Sequence, residues 1–147
     1  YRFVAYKWLW AQIKWKIPED YGFADDYLGW IQCRIAIRAI AALCSQKGIG
    51  QPVLVIFPYF SPGKWNTDNY PLTEVYKKVK KAARKAGMHV LDLTPIFLSA
   101  DRDLKEFWAL PLDFHPNEEA HLIAAASIEN FLIKNRILDS RINGKDF

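Results

Sequence analysis

Val53-Leu54-Val55-Ile56-Phe57-Pro58 is a continuous apolar run with no polar alternation. Such a run predicts a strand buried on both faces, as in a parallel sheet. The segment from Tyr59 to Pro71 carries two further prolines, Gly63 and several polar residues and reads as a loop. Beyond it, Val75, Val79 and Ala82 or Ala83 recur at helical spacing, predicting a helix from about Leu72 to Ala86 that Gly87 closes. Lys77, Lys78, Lys80, Lys81, Arg84 and Lys85 fall on its outward side. Met88 to Leu93 then supplies a second short apolar strand. Strand, helix, strand in this order makes a crossover unit, so the sheet is expected to be parallel and the class α/β.

Working outward, Asp25 or Asp26 is placed to cap a helix that runs to about Lys47 and stops at Gly48. Leu28, Ile31, Ile35, Ala39, Ala42 and Leu43 give it an apolar face, and Arg34, Arg38 and Ser45 a polar one. It also holds both cysteines, Cys33 and Cys44, which lie ~16 Å apart along an intact helix and cannot bridge each other. Residues 1 to 17 are dense in aromatics and lysine, among them Trp8, Trp10, Trp15, Lys7, Lys14 and Lys16. That stretch reads either as a helix or, around Arg2 to Trp8, as a strand. Downstream, Thr94 and Pro95 open a loop, a short helical piece is expected near Asp101 to Trp108, and a last helix starts after Asn117. Leu122, Ala125, Ile128 and Leu132 form the predicted buried stripe of that helix, and 139 to 147 form a loose polar tail. The 147 residues, 51% of them hydrophobic, suit one α/β domain or its C-terminal portion, with 1 to 24 as an aromatic and basic N-terminal segment.

Chemistry concentrates in Leu112-Asp113-Phe114-His115-Pro116-Asn117. A carboxylate and an imidazole two residues apart can form an orienter and base pair of the kind that activates a hydroxyl nucleophile. His115 would take and return a proton, and Asp113 would fix the imidazole tautomer and stabilise its charged form. Ligands of open parallel sheets bind beyond the carboxyl ends of the strands, and the 59 to 71 and 94 to 116 loops both leave strands at that edge.

Asp113-Phe114-His115-Pro116-Asn117, followed by Ala120-His121 and Ala124-Ala125, resembles the last conserved block of the SGNH (GDSL-type) hydrolases, a family of esterases and acyl hydrolases. The Val53 to Pro58 strand and Val90-Leu91-Asp92-Leu93-Thr94-Pro95 are similar to the later strands of that family, so the resemblance spans roughly residues 25 to 135. It implies a flavodoxin-like three-layer fold and makes Asp113 and His115 the acid and base of a Ser-Asp-His triad. The family's commonest spacing puts two residues between Asp and His; here only Phe114 intervenes, which looks like a shorter variant also found in the family. The family's Gly-Asp-Ser block and its Gly-x-Asn-Asp block do not occur between Tyr1 and Asp113. The chain therefore reads as the C-terminal portion of such a hydrolase, with the nucleophile and oxyanion donors upstream. Ser61, just past the first strand, is the one local serine placed to substitute, although it lacks a nucleophile-elbow pattern.

The remaining motifs point to plain structure. His89, His121, Asp92 and Asp113 match no zinc or di-metal spacing, and Gly48-Ile49-Gly50 precedes a strand instead of linking strand to helix, so no metal or organic cofactor is implied. His121 is expected to be a helix histidine satisfied by a local hydrogen bond, and Asp92 to end its strand. The net charge of +4 sits largely in the Lys helix, which reads as a solvated face, and no nucleic-acid partner is expected. No uninterrupted run of 18 apolar residues and no signal-peptide pattern occurs, so this chain is not expected to span a membrane; an envelope or secreted location would depend on upstream sequence. The expected substrate is a small-molecule, lipid or carbohydrate ester. A second reading is a non-catalytic module whose Lys helix or Trp-rich N-terminus contacts a membrane surface, a polyanion or a protein.

Overall fold

The computed structural model describes residues 23–60, 65–99, 102–111 and 113–137. In order, the elements are α1 (Leu28–Gln46), β1 (Val53–Ile56), α2 (Thr73–Lys85), β2 (His89–Asp92), α3 (Thr94–Leu98), a 3-10 turn (Leu104–Phe107), β3 (Trp108–Leu110), β4 (Asp113–Pro116) and α4 (Glu118–Lys134). The class is mixed α/β, as the alternation of apolar runs and helical spacing predicts. The N-terminal aromatic segment, Ser61 and the C-terminal tail lie outside the described residues.

β1 and β2 pair in parallel, Val53 opposite His89 and Ile56 opposite Asp92. The helix between them shows the spacing read from the sequence. Val75 and Ala83 are buried, Lys77 and Lys81 face out, and Gly87 closes the end at φ +82°, where a side chain would strain the backbone. Contacts divide between the two faces of the sheet. Leu54 and Val90 pack with Ile37 of α1 and with Ala83 and Met88. On the other side Leu91 joins a cluster with Ala120 and Ala124 of α4, and the His89 ring meets Phe131 at 6.5 Å.

Three expectations need correction. First, β1 is not buried on both faces: Val55 is 37% exposed, because among the described residues the sheet has two strands and α4 packs beside β2. Second, α1 buries Trp30 and Ile37, while Leu28, Ile35 and Leu43, assigned to its inner face, are more than half exposed. The helix has apolar side chains on two stripes, and periodicity alone does not say which one meets protein. Its N-cap is Tyr27 with no side-chain cap; Asp25 instead accepts from Trp30 Nε1 and pairs with Arg34. Third, α4 turns its small residues inward at Ala120 and Ala124, leaving Leu122 63% exposed.

At 19 residues and mean hydropathy 1.3, α1 is long and apolar enough by length and composition to cross a bilayer. Arg34 and Arg38 lie near its middle, where each charge would cost about 2.5–3.5 kcal/mol in a lipid core. Here Arg34 also stacks on Trp30 at 5.6 Å, and Ile37 packs against protein.

The larger core is aromatic. Phe60, Phe97 and Phe107 are almost fully buried and meet pairwise at ring centroid distances of 5.1 to 5.7 Å. Truncating one such ring to alanine typically costs about 3–5 kcal/mol. These rings join the loop leaving β1 to α3 and the 3-10 turn. Trp108 Nε1 donates to the Phe60 carbonyl at 2.7 Å and fixes β3 to the same loop.

Asp92 does end its strand structurally. Burial opposes its ionisation, but hydrogen bonds from Lys80 and Thr94 outweigh that and hold the carboxyl below the usual carboxylate range. Asp92→Ala is expected to lower unfolding free energy by about 1.5–3 kcal/mol in urea denaturation at neutral pH. A depressed folded pKa gives stability above the unfolded value that is lost as pH falls through the folded one. Wild type and variant should therefore converge as pH drops below the ordinary value of 3.8.

Candidate functional site

The predicted pair sits on a strand and not in a loop. Asp103 caps the 3-10 turn through a capping box with Glu106, the chain enters β3, and β4 folds back antiparallel, Trp108 opposite Pro116 and Leu110 opposite Asp113. Asn117 ends the hairpin and starts α4. Its side chain accepts from Ala120 N at 3.0 Å and donates to the Glu106 carbonyl at 2.8 Å, while its N–H reaches Phe107 O at 2.8 Å. One residue thus ties the helix to the turn that precedes the hairpin. Arg102 adds charged bonds to Glu106 and Glu119 across the same joint.

Strand alternation explains why an Asp-x-His spacing works here. Residues i and i+2 of a strand lie on one side, so Asp113 and His115 are neighbours, while Phe114 between them also lines the cleft. The His115 ring Nδ1 and Asp113 Oδ1 are 2.5 Å apart, and the His115 backbone N–H donates to the same oxygen at 3.1 Å. The hydrogen bond from His115 holds the Asp113 carboxyl below the usual carboxylate range, so it is an anion at neutral pH. With Nδ1 engaged, Nε2 is left free for a substrate or nucleophile. The imidazole is 88% exposed.

Asp113 and His115 face a cleft of about 660 Å³. Phe57, Pro58 and Tyr59, the residues directly after β1, form its opposite side. The pair thus stands at the carboxyl end of the parallel sheet, as topology predicts. Phe114 packs on Trp108 at 4.5 Å and edge-on against Tyr59 at 6.0 Å, closing one end.

No serine is among the described lining residues of this cleft. The hydroxyls of Ser99 and Ser127 are turned back onto the helical carbonyls of Ile96 and Ile123. His121 and His89 do not join the site. The His121 ring lies tilted against Phe57 at 6.0 Å instead of showing the expected local hydrogen bond, and His89 lies by Phe131. Among the described residues, no group of three or more His, Cys, Asp or Glu could hold a metal ion.

Three tyrosines belong to the site's surroundings and were not singled out from the sequence. Tyr59 lines the cleft, and the hydroxyls of Tyr70 and Tyr76 both accept from its backbone N–H, at 2.9 and 3.1 Å. Tyr59 was open to inference as a residue leaving a strand at the functional edge. Its two partners lie 11 and 17 residues away and have no spacing signature.

Comparisons with protein-family models, with curated proteins and with solved structures find no match for this chain.

The Asp113 contact makes a direct expectation for the imidazole. Long-range proton–nitrogen NMR at neutral pH should find neutral His115 as the Nδ1–H tautomer, and Asp113→Ala should shift it toward the Nε2–H form. The same tautomer ratio in both proteins would remove Asp113 as the orienter.

Proposed function

We propose that this chain carries the acid and base half of a serine ester or acyl hydrolase of the SGNH type, whose nucleophile and oxyanion donors come from sequence upstream of Tyr1. The observation that carries the reading is the bonded Asp113–His115 pair opening into a cleft at the carboxyl end of a parallel strand pair. His115 Nε2 takes the serine proton as the hydroxyl attacks the acyl carbon. It then returns that proton to the departing alcohol, and Asp113 stabilises the imidazolium between the two steps. Water repeats the sequence to free the acid. No metal is required for these steps.

The way the fold is exposed supports a missing half. The β1 edge away from β2 has no strand partner among the described residues, Val55 on β1 is exposed, and α1 leaves Leu28, Ile35 and Leu43 exposed. Further strands beside β1 would extend the sheet toward the flavodoxin-like three-layer arrangement that the resemblance implies. They would also cover the imidazole, which is far more exposed than is usual for a working base in a water-excluded site.

The interaction-module reading draws less support. Of the Lys helix, Lys77 is paired with Glu74, Lys80 with Asp92, and Lys78 donates to the Phe23 carbonyl, so half of the named basic cluster is engaged within the chain. In the full-length protein, His115→Ala is expected to lower kcat for p-nitrophenyl acetate by about a hundredfold or more. The thermal midpoint should scarcely move, because an exposed ring contributes little packing. Near-normal turnover by that variant would sink the assignment.

A further inference from the structure

Beyond the identity of the base, the cleft bears on the substrate. The proton that His115 returns goes to the alcohol oxygen, so the alcohol portion must lie within hydrogen-bond reach of Nε2. The wall available to it is apolar: Phe57, Pro58, Phe114 and Pro116, with the Tyr59 ring set edge-on to Phe114. Among the described lining residues, the polar side chains besides Tyr59 are Asp113 and His115, which are engaged with each other. An apolar chain laid against this wall would remove apolar surface from water, a gain that a sugar or other polyol would not match.

Tyr59 is fixed unusually well for a residue leaving a strand. Its N–H is shared by the Tyr70 and Tyr76 hydroxyls, and the Tyr70 hydroxyl donates back to its carbonyl at 2.9 Å, closing a reciprocal pair. The Tyr76 hydroxyl also reaches the Phe57 carbonyl at 3.5 Å. Burial pushes both phenols above their ordinary range, so they stay protonated and able to donate. Tyr70 itself is 3% exposed.

We propose that Tyr59, held in place by Tyr70 and Tyr76, is the specificity-determining wall of a leaving-group subsite that takes an apolar alcohol. This rests on the hydrolase reading of Asp113 and His115. Tyr70 and Tyr76 act as positioning residues: they do not touch the alcohol and set where the Tyr59 wall stands.

The test uses the full-length protein and acetate esters of ethanol, butanol and hexanol, whose leaving groups are alike in basicity, with the acetate of triethylene glycol as a polar chain of similar length. Burial of added methylenes is worth up to about fourfold each, so kcat/KM should rise about tenfold or more from ethyl to hexyl acetate. The glycol ester should stay near the ethyl value. Tyr59→Phe should keep the preference and Tyr59→Ala should lose it. Tyr70→Phe combined with Tyr76→Phe should lower the hexyl to ethyl ratio, whereas a merely structural role would lower both esters equally. Turnover with a flat chain-length series would overturn the subsite and leave the hydrolase reading standing. Absence of all turnover would sink the hydrolase reading, and binding then decides the subsite. Hexan-1-ol should perturb the amide signals of Tyr59 and Phe114 while ethanol does not; equal or absent perturbation would overturn it.

Discussion

The contact on which the site depends is the aromatic joint of Phe60, Phe97 and Phe107. A two-stranded parallel sheet is too small to hold a separate hairpin in register by hydrogen bonds alone. The joint does it by burying three large rings where the loop after β1, α3 and the 3-10 turn converge. Phe57 extends the cluster to His121 and Phe97, and the indole of Trp108 adds a hydrogen bond to Phe60 O. The wall of the cleft and the strand bearing Asp113 and His115 are thereby two sides of one packed unit. Asn117 completes it from below by capping α4 while holding the turn.

Much of this was legible in the sequence where one signal sufficed. The run Val53 to Pro58, the spacing of Val75 and Ala83 and the stop at Gly87 each have a local cause, and each element lies where expected. Asp113 and His115 were legible as a pair, and so was their position at the sheet's carboxyl edge. Their setting on a strand was not, because the β3–β4 hairpin depends on the Trp108 and Phe114 contact and on Asn117 reaching back to Glu106. The inner faces of α1 and α4 were misread for a related reason. Both helices are apolar on more than one stripe, and the stripe that is buried depends on partners distant in sequence. The tyrosine clamp on Tyr59 is wholly tertiary and leaves no mark in local spacing.

The exposed dyad follows from the same limits. A carboxylate anion 2.5 Å from an imidazole is well arranged to fix a tautomer, yet at a solvated surface its field is screened. Covering it would strengthen the contact without moving either residue, since β4 and the aromatic joint already set both. Among the described residues, the β1 edge away from β2 has no strand partner, and α1 leaves apolar side chains exposed. On the proposed reading, this portion supplies a prebuilt base and a substrate wall, and the preceding portion supplies the hydroxyl and the shelter.

The most direct measurement is labelling of the full-length protein with a fluorophosphonate probe, followed by mass mapping of the modified residue. One phosphonylated serine, located upstream of Tyr1, is expected, together with loss of labelling in His115→Ala. No labelled serine, or labelling that is indifferent to His115, would contradict it.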